Sequence, residues 1–510
     1  MYKSLYEVQA MSNASYPITE ETIGQVTHFE NAPQWIYEVD NPYLHGVYAP
    51  TVDEMAVDEL EVTGELPEGI YGAYYRNGPN TIHKPTGLHH PFDGDGMVHA
   101  VYFQDGKASY RNSYIHTAGY LLEKEEGRAM WPGVMGTFDF SLPEFPIKDT
   151  CNTDVTWYAG KLMPTWYHAG RPHKMDPLSL ENLGEYSLPG RTRTNMSAHN
   201  HVDWNTGEML FMDYGDEAPF MTYGVANADG TLRSEVPIEL PGPRRPHDLG
   251  FTTNYTILHD LPLFHDANLL RRHGKMVLDF HRDIPARFGI IPRYGDSADI
   301  RWFECEPCFV LHISNSWEEG DWIVMDGCRS ANPLRQPEGG GELAHMLVYM
   351  RNETNNYRWR FNLKTGEVRE GDIDDLNTEF NKSNQMFHGV KTQYAYHQHI
   401  PLLHENGHTL RFNGLVKYNN ETGQYDKWDY GDGVFGSEAA FAPVKGATRD
   451  SDEDDGYVIT MVTDSNTWKS EALVFDARDI TLGPIARVKL PQRVPAGFHA
   501  TWARGEDLYT

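Results

Sequence analysis

Cysteine is scarce: four residues in 510, at Cys151, Cys305, Cys308 and Cys328. That is too few for a disulfide framework and favours a reducing compartment. A chain of this length buries enough core to need no such staple. Cys305 and Cys308 form a CxxC, but no second pair completes a zinc site, so both are read as half-buried strand residues. Basic charge is also short, with 43 Lys and Arg against 73 Asp and Glu and a net charge of −30. Nucleic acid and anionic membranes held by charge both require a basic face, so neither is an expected partner. No apolar run approaches the roughly eighteen residues of a membrane span, so no transmembrane segment is expected. Residues 1–7 lack the apolar core of a secretory signal, and cytoplasmic is the expectation. No glycine-rich dinucleotide fingerprint follows a strand and no P-loop is present, which argues against nicotinamide, flavin or nucleotide triphosphate chemistry.

What the chain does contain is turn-punctuated β-structure. Aromatics make up 12%, with 46 Gly and 31 Pro. Short apolar runs recur at 208–213, 275–280, 322–326, 346–350, 457–462 and 472–476. Turn signals such as Asp203–Gly207, Asn227–Gly230 and Asn362–Gly366 stand among them. Strand, turn, strand at this spacing predicts a sandwich, barrel or propeller. Short helices are expected near Val52–Leu60 and Leu121–Met130, and the stretch from Tyr114 to Pro146 reads as a cap over one end of a β-body. No Ser- or Gly-rich linker divides the chain, and no clean repeat shows at blade period. Residues 1–40 read as a polar leader and 41–510 as a single domain.

The chemistry centres on histidine. His499 lies near the C-terminus in Ala496-Gly497-Phe498-His499-Ala500, after a run apolar at alternate positions from Ile485 to Leu490. This is the pattern of a closing strand that delivers a side chain to a central site. His199 in Ala198-His199-Asn200, His247 in Pro246-His247-Asp248 and His312 in Leu311-His312-Ile313 have comparable settings. The four are dispersed over more than half the chain, which excludes a zinc finger and the paired ligands of HExxH. Separate strands converging on one axis would bring them together. Spacing alone does not single them out among 24 histidines: His89, His90, His397 and His399 have an equal claim.

Several motifs in order resemble the carotenoid cleavage oxygenase family, which includes carotenoid, apocarotenoid, stilbene and phenylpropene cleavers and the retinoid isomerohydrolase. Tyr75-Arg76-Asn77-Gly78-Pro79-Asn80 and Phe92-Asp93-Gly94-Asp95-Gly96-Met97-Val98-His99 resemble its N-terminal signature. Ala198-His199, Pro246-His247-Asp248, Leu311-His312 and Gly497-Phe498-His499 resemble its four metal-ligand motifs. Glu453–Tyr457 and Phe475–Ala477 add further matches. The resemblance implies an all-β fold, a seven-bladed β-propeller with a helical and loop cap over the iron-containing face. It implies Fe(II) held by His199, His247, His312 and His499. Four neutral imidazoles would leave the ion its full charge and open positions, unlike the two-His-one-carboxylate triad. Family glutamates hold the outer nitrogens of three ligands. Glu379 and Glu438 resemble two of them, and by its offset from Pro172 the place of the third is taken by His168. His99, Arg76 and Asn77 are read as structural, and the glycines of Asp93–Gly96 as a tight connection rather than a calcium loop.

The implied reaction is scission of a conjugated C=C bond with O2 to give two carbonyl products, in an apolar tunnel that selects the bond. Phe92 and Tyr167 are candidate substrate contacts. Stilbene cleavers of the family grip a phenol with a Lys and a Tyr. Here Tyr167 stands in the place of the Lys, and Leu121–Pro146 holds no tyrosine, so that clamp is not evident. A vinylphenol, phenylpropene or stilbene-type alkene and an apocarotenoid both remain, the acidic composition leaning towards the soluble aromatic. An isomerase of the same family is less favoured. From another class, the alternatives are a propeller that binds partners without redox chemistry and a calcium-dependent propeller hydrolase; calcium would need converging carboxylates and carbonyls, whereas these motifs collect imidazoles.

Overall fold

In a computed structural model of the chain, seven antiparallel sheets stand as blades around one axis. The structure describes residues 28–143, 146–265, 278–334, 353–401 and 409–509, with 268, 272, 274 and 350 between them. Burial falls across each blade, and the sequence of each strand follows its place. In the fifth blade, Phe309–Glu319 and Trp322–Ser330 are almost wholly buried, Asn355–Asn362 alternates, and Val368–Asp372 is largely exposed. Strands covered on both faces read as near-continuous apolar runs, and outer strands are polar. The first strands of neighbouring blades touch one another around the axis.

The ring closes at both chain ends. Ala500–Arg504 pairs with Gly72–Pro79 as the axis-nearest strand of the first blade. Val62–Gly64 pairs with Pro484–Lys489 at the rim of the seventh. Each end completes the blade begun by the other, which leaves no long free edge where the circle meets. The strand expected over Ile485–Leu490 therefore forms, and His499 stands one residue before the closing strand. The seven-bladed all-β architecture agrees with the expectation from the motifs.

Some local expectations change. Val52–Leu60 is extended rather than helical: Ala56 and Val57 pair with Arg111 and Tyr110, and Asn112 Oδ1 accepts from Met55 N (2.8 Å). A free sheet edge alongside decides this segment against its local pattern. The helix expected at Leu121–Met130 forms at Ala118–Glu126, started by the Thr117 side chain and stopped by Gly127 at φ 69°. Leu278–Phe280 pairs with Leu263–His265 in a hairpin inserted in the fourth blade, while 275–277 and 346–349 lie outside the described residues. This hairpin and the 114–146 segment cover one face together, and Phe138 N donates to Gly274 O (2.5 Å). Of the polar N-terminal stretch, residues 1–27 lie outside the described residues. Gln34–Glu38 form a 3-10 turn with Ile36 buried against Ala32 and Ala49. All four cysteines are buried and unbonded.

Trp502 carries the closure. It is 1% exposed and packs with Tyr74, Phe103 and Ile459, joining the first and seventh blades. Trp502→Ala is expected to cost about 3–5 kcal/mol, read as a lowered urea midpoint.

Candidate metal centre

Every blade delivers one chemically active side chain at or beside its axis-nearest strand. In ring order from the first blade these are His499, Asp154, His199, His247, His312, Glu379 and Glu438. The four histidines are buried and offer ligand atoms within 4.8 Å of one another. His199 Nε2 lies 3.0 Å from His247 Nε2, which lies 3.2 Å from His312 Nε2. His89, His90, His397 and His399 are not in this group. His397 contacts Thr378 Oγ1 (3.1 Å), and His399 bonds Asn413 Oδ1 (2.5 Å). His99 bonds the Tyr110 hydroxyl (2.7 Å), a structural role as expected.

Three outer nitrogens are fixed by carboxylates. His199 Nδ1 donates to Asp154 Oδ2 (2.9 Å), His312 Nδ1 to Glu379 Oε2 (2.5 Å) and His499 Nδ1 to Glu438 Oε1 (3.0 Å). An ionised carboxylate only accepts, so Nδ1 carries the proton and Nε2 turns a lone pair inward. Lone pairs so close repel unless a cation lies between them. Nitrogens about 2.1 Å from a common ion stand about 3.0 Å apart at right angles and about 3.4 Å apart at the tetrahedral angle. The observed spacings lie nearer the right angle, so the donor set fits a divalent ion with open positions.

The electrostatics agree. Burial disfavours protonation of His199, His247 and His499. It does so at His312 too, but the Glu379 carboxylate outweighs it and raises the pKa. Burial pushes Glu438 up to about 7 against the pull of Lys382, whose Nζ is 3.1 Å from Glu438 Oε2. Burial would also raise Asp248, yet His201 beside it (2.6 Å) holds its carboxyl far below the usual range.

Local irregularity aims these groups. Successive strand residues point to opposite faces. A register shift between Glu379 and Lys382, with Phe380 at φ 54°, breaks that alternation. Glu379 therefore bonds His312 while the next residue, Phe380, stacks on His499 (4.7 Å, 15°). Asn77 donates to the Asp154 carbonyl (2.9 Å), and its N–H to the His499 carbonyl (2.9 Å), tying two of the axial residues together. Arg76, fully buried, donates to Pro495 O (2.7 Å). A Cβ on Gly497 would stand 2.5 Å from its guanidinium, so only glycine fits there.

The third acid is Asp154, not His168. His168 sits in a cavity wall, its ring 4.9 Å from Trp166, 5.0 Å from Tyr167 and 6.2 Å from Phe92. The motif offset misled because Asp154 opens a strand in the second blade, before the loop that carries His168, and only the ring order brings it against His199. Phe380 and Lys382 also escaped sequence reasoning, since a strand pattern does not reveal a bulge.

Two chambers meet at the histidines. Phe92, Tyr167, His168 and Arg245 line the first near His247, and Val134, Met135, Leu263, Leu278, Phe309 and Leu311 extend it as a largely apolar space. The second is polar, and its lining includes His199, His312, His499, Asp154, Asp248, Lys382 and Glu438. Phe92 packs on Tyr167 and Phe498 at 5.4 Å each, and Tyr167 lies 4.5 Å from the His247 ring.

Such a fold and donor set define a propeller whose axial group of four histidines is compatible with a metal site. The family described as retinal pigment epithelial membrane protein matches residues 48–504, and the chain belongs to it. Over 494 residues it is 35% identical to a carotenoid 9,10(9',10')-cleavage dioxygenase of Crocus sativus, covering 91% of this chain and 90% of the relative. It is 27% identical to an isoeugenol monooxygenase of Pseudomonas nitroreducens, covering 91% and 98%. The crystal structure of Pseudomonas brassicacearum lignostilbene dioxygenase superposes with a TM-score of 0.80 at 28% identity, covering 93% and 99%. The protein is thus an oxygenase of the carotenoid-cleavage type. Among the described residues, no helix is long and apolar enough to cross a membrane.

Asp154→Asn is expected to weaken divalent-metal binding about 10–100-fold in a chelator competition, whereas His168→Ala leaves it unchanged.

Proposed function

We propose that the protein is a non-haem Fe(II) oxygenase that splits one conjugated C=C bond of an elongated apolar substrate of apocarotenoid type. The observation that carries this reading is the apolar chamber ending at His247. In it, Tyr167, His168 and Arg245 stand near His247, and apart from His90 and Ser330 the rest of the wall is aliphatic and aromatic. His199, His247, His312 and His499 would hold the ion, and ferrous iron bound there would supply the one-electron chemistry that lets O2 react with a closed-shell alkene. Each carbon of the broken double bond takes one oxygen atom, so alkene and O2 become two carbonyl products with no outside reductant.

The chain's own residues bind, orient and keep water out. Phe92 and Phe498 give flat apolar faces close to the histidines, and Leu311 and Phe309 continue the wall on strand Phe309–Glu319. A rigid slot of this kind fixes which bond lies beside the ion. Arg245 is neutralised by Asp216 (2.9 Å). No lysine and no second tyrosine stand with Tyr167 among the described lining residues. That argues against a phenolate clamp and shifts the balance from the aromatic alkene favoured on composition towards a polyene. A phenylpropene is the second reading, supported by the Tyr167 side chain in the wall beside His247.

The test is oxygen uptake by anaerobically Fe(II)-loaded protein with an apocarotenal, isoeugenol and a hydroxystilbene, the carbonyl products being identified by mass. Uptake with the apocarotenal, abolished in His312→Ala, is expected. Turnover of isoeugenol alone would select the second reading. Iron-loaded protein inert to all three would refute both.

A further inference from the structure

A ring of seven blades cannot pair four histidines with three acids evenly, and His247 is the one left over. Asp154 and His199 sit on adjacent blades, as do Glu379 and His312, and Glu438 and His499. The blade of His247 lies between those of His199 and His312, whose acids stand on their far sides. Its Nδ1 is buried and has no hydrogen-bond partner among the described residues. Its neighbour is the Tyr167 ring at 4.5 Å, which offers a face but no carboxylate. The ligands divide the same way between the chambers. His199, His312 and His499 line the polar one, and His247 alone lines the apolar one.

We infer that the ion is held chiefly by His199, His312 and His499, and that His247 is the weakest of the four ligands, positioned by packing on Tyr167 instead of by a carboxylate. An acceptor on the outer nitrogen makes an imidazole a stronger donor and locks its ring plane. Losing such a partner typically costs 10–100-fold in metal affinity. A ring held only by packing has neither advantage, and it stands on the side from which substrate approaches. Tyr167 is therefore a positioning residue. Its backbone place, with its side chain already against the His247 ring, is where a carboxylate would complete the set.

The inference rests on the metal-holding role of the four histidines and on no particular substrate. Its test is the affinity for Co(II), read from visible absorption in competition with a chelator, in full-length protein and in each of the four alanine variants. His247→Ala is expected to lose at least about 10-fold less affinity than His199→Ala, His312→Ala or His499→Ala. Tyr167→Glu is expected to tighten binding about 10–100-fold, with Tyr167→Phe unchanged. Loss at His247 equal to or greater than at the other three overturns the inference, and this ranking decides even if Tyr167→Glu does not fold. Unmodified protein that takes up no Co(II) would instead refute the metal site itself, so the two failures are distinct.

Discussion

The structure depends on one constraint: four imidazole lone pairs must face each other across 4.8 Å or less, in a buried place, and stay there. Left alone, this arrangement is repulsive. It holds because carboxylates fix three of the rings from behind and a cation fits between their inner faces. The axial region buries Asp154, Glu379, Glu438 and Asp248, with the half-buried Lys382 beside Glu438. Several like charges out of water are costly unless compensated. A divalent ion at the four histidines would supply most of the balance, and binding it would then be coupled to holding the seven blades at their spacing.

The propeller suits this task because each blade can supply one residue from a rigid strand near the axis. The axis-nearest strands pack against those of adjacent blades, so a histidine on one blade finds its carboxylate on the next. Asp154 backs His199 and Glu379 backs His312 in this way. Closure matters for the same reason. His499 and its acid Glu438 come from the first and seventh blades, and they meet only because Ala500–Arg504 returns to Gly72–Pro79. Asn77, on that partner strand, then joins His499 to Asp154 across the seam.

This explains what the sequence made legible. The four histidines, Glu379 and Glu438 stood in short motifs whose order along the chain follows the order of blades, and the seven-bladed fold came with them. Phe92 and Tyr167 were marked as lining residues by their motif neighbours. Asp154 was not legible, because its meaning lies in a pairing between strands 45 residues apart. A motif offset pointed to His168 instead. Residues 52–60 were misread for a related reason: a sheet edge that exists only in the folded ring outweighs the local pattern. Nor does period-two patterning disclose a bulge such as the one that turns both Glu379 and Phe380 to the site.

The sorting of surroundings around the ion follows from desolvation. A carboxylate facing the apolar chamber would lose water without the compensation that Lys382 and the polar groups of the second chamber offer. The three acids stand instead on the side that Lys382, His201 and Asp248 make polar, where backbone N–H groups also reach them: Ala500 N donates to Glu438 (2.5 Å) and Val155 N to Asp154 (2.7 Å). The face towards the apolar chamber is left to His247, Tyr167 and Phe92, rings that are apolar on their flat sides. One centre can then keep a charged, hydrogen-bonded foundation on one side and present an apolar surface on the other. The lone imidazole on the dry side is the structural consequence of that division.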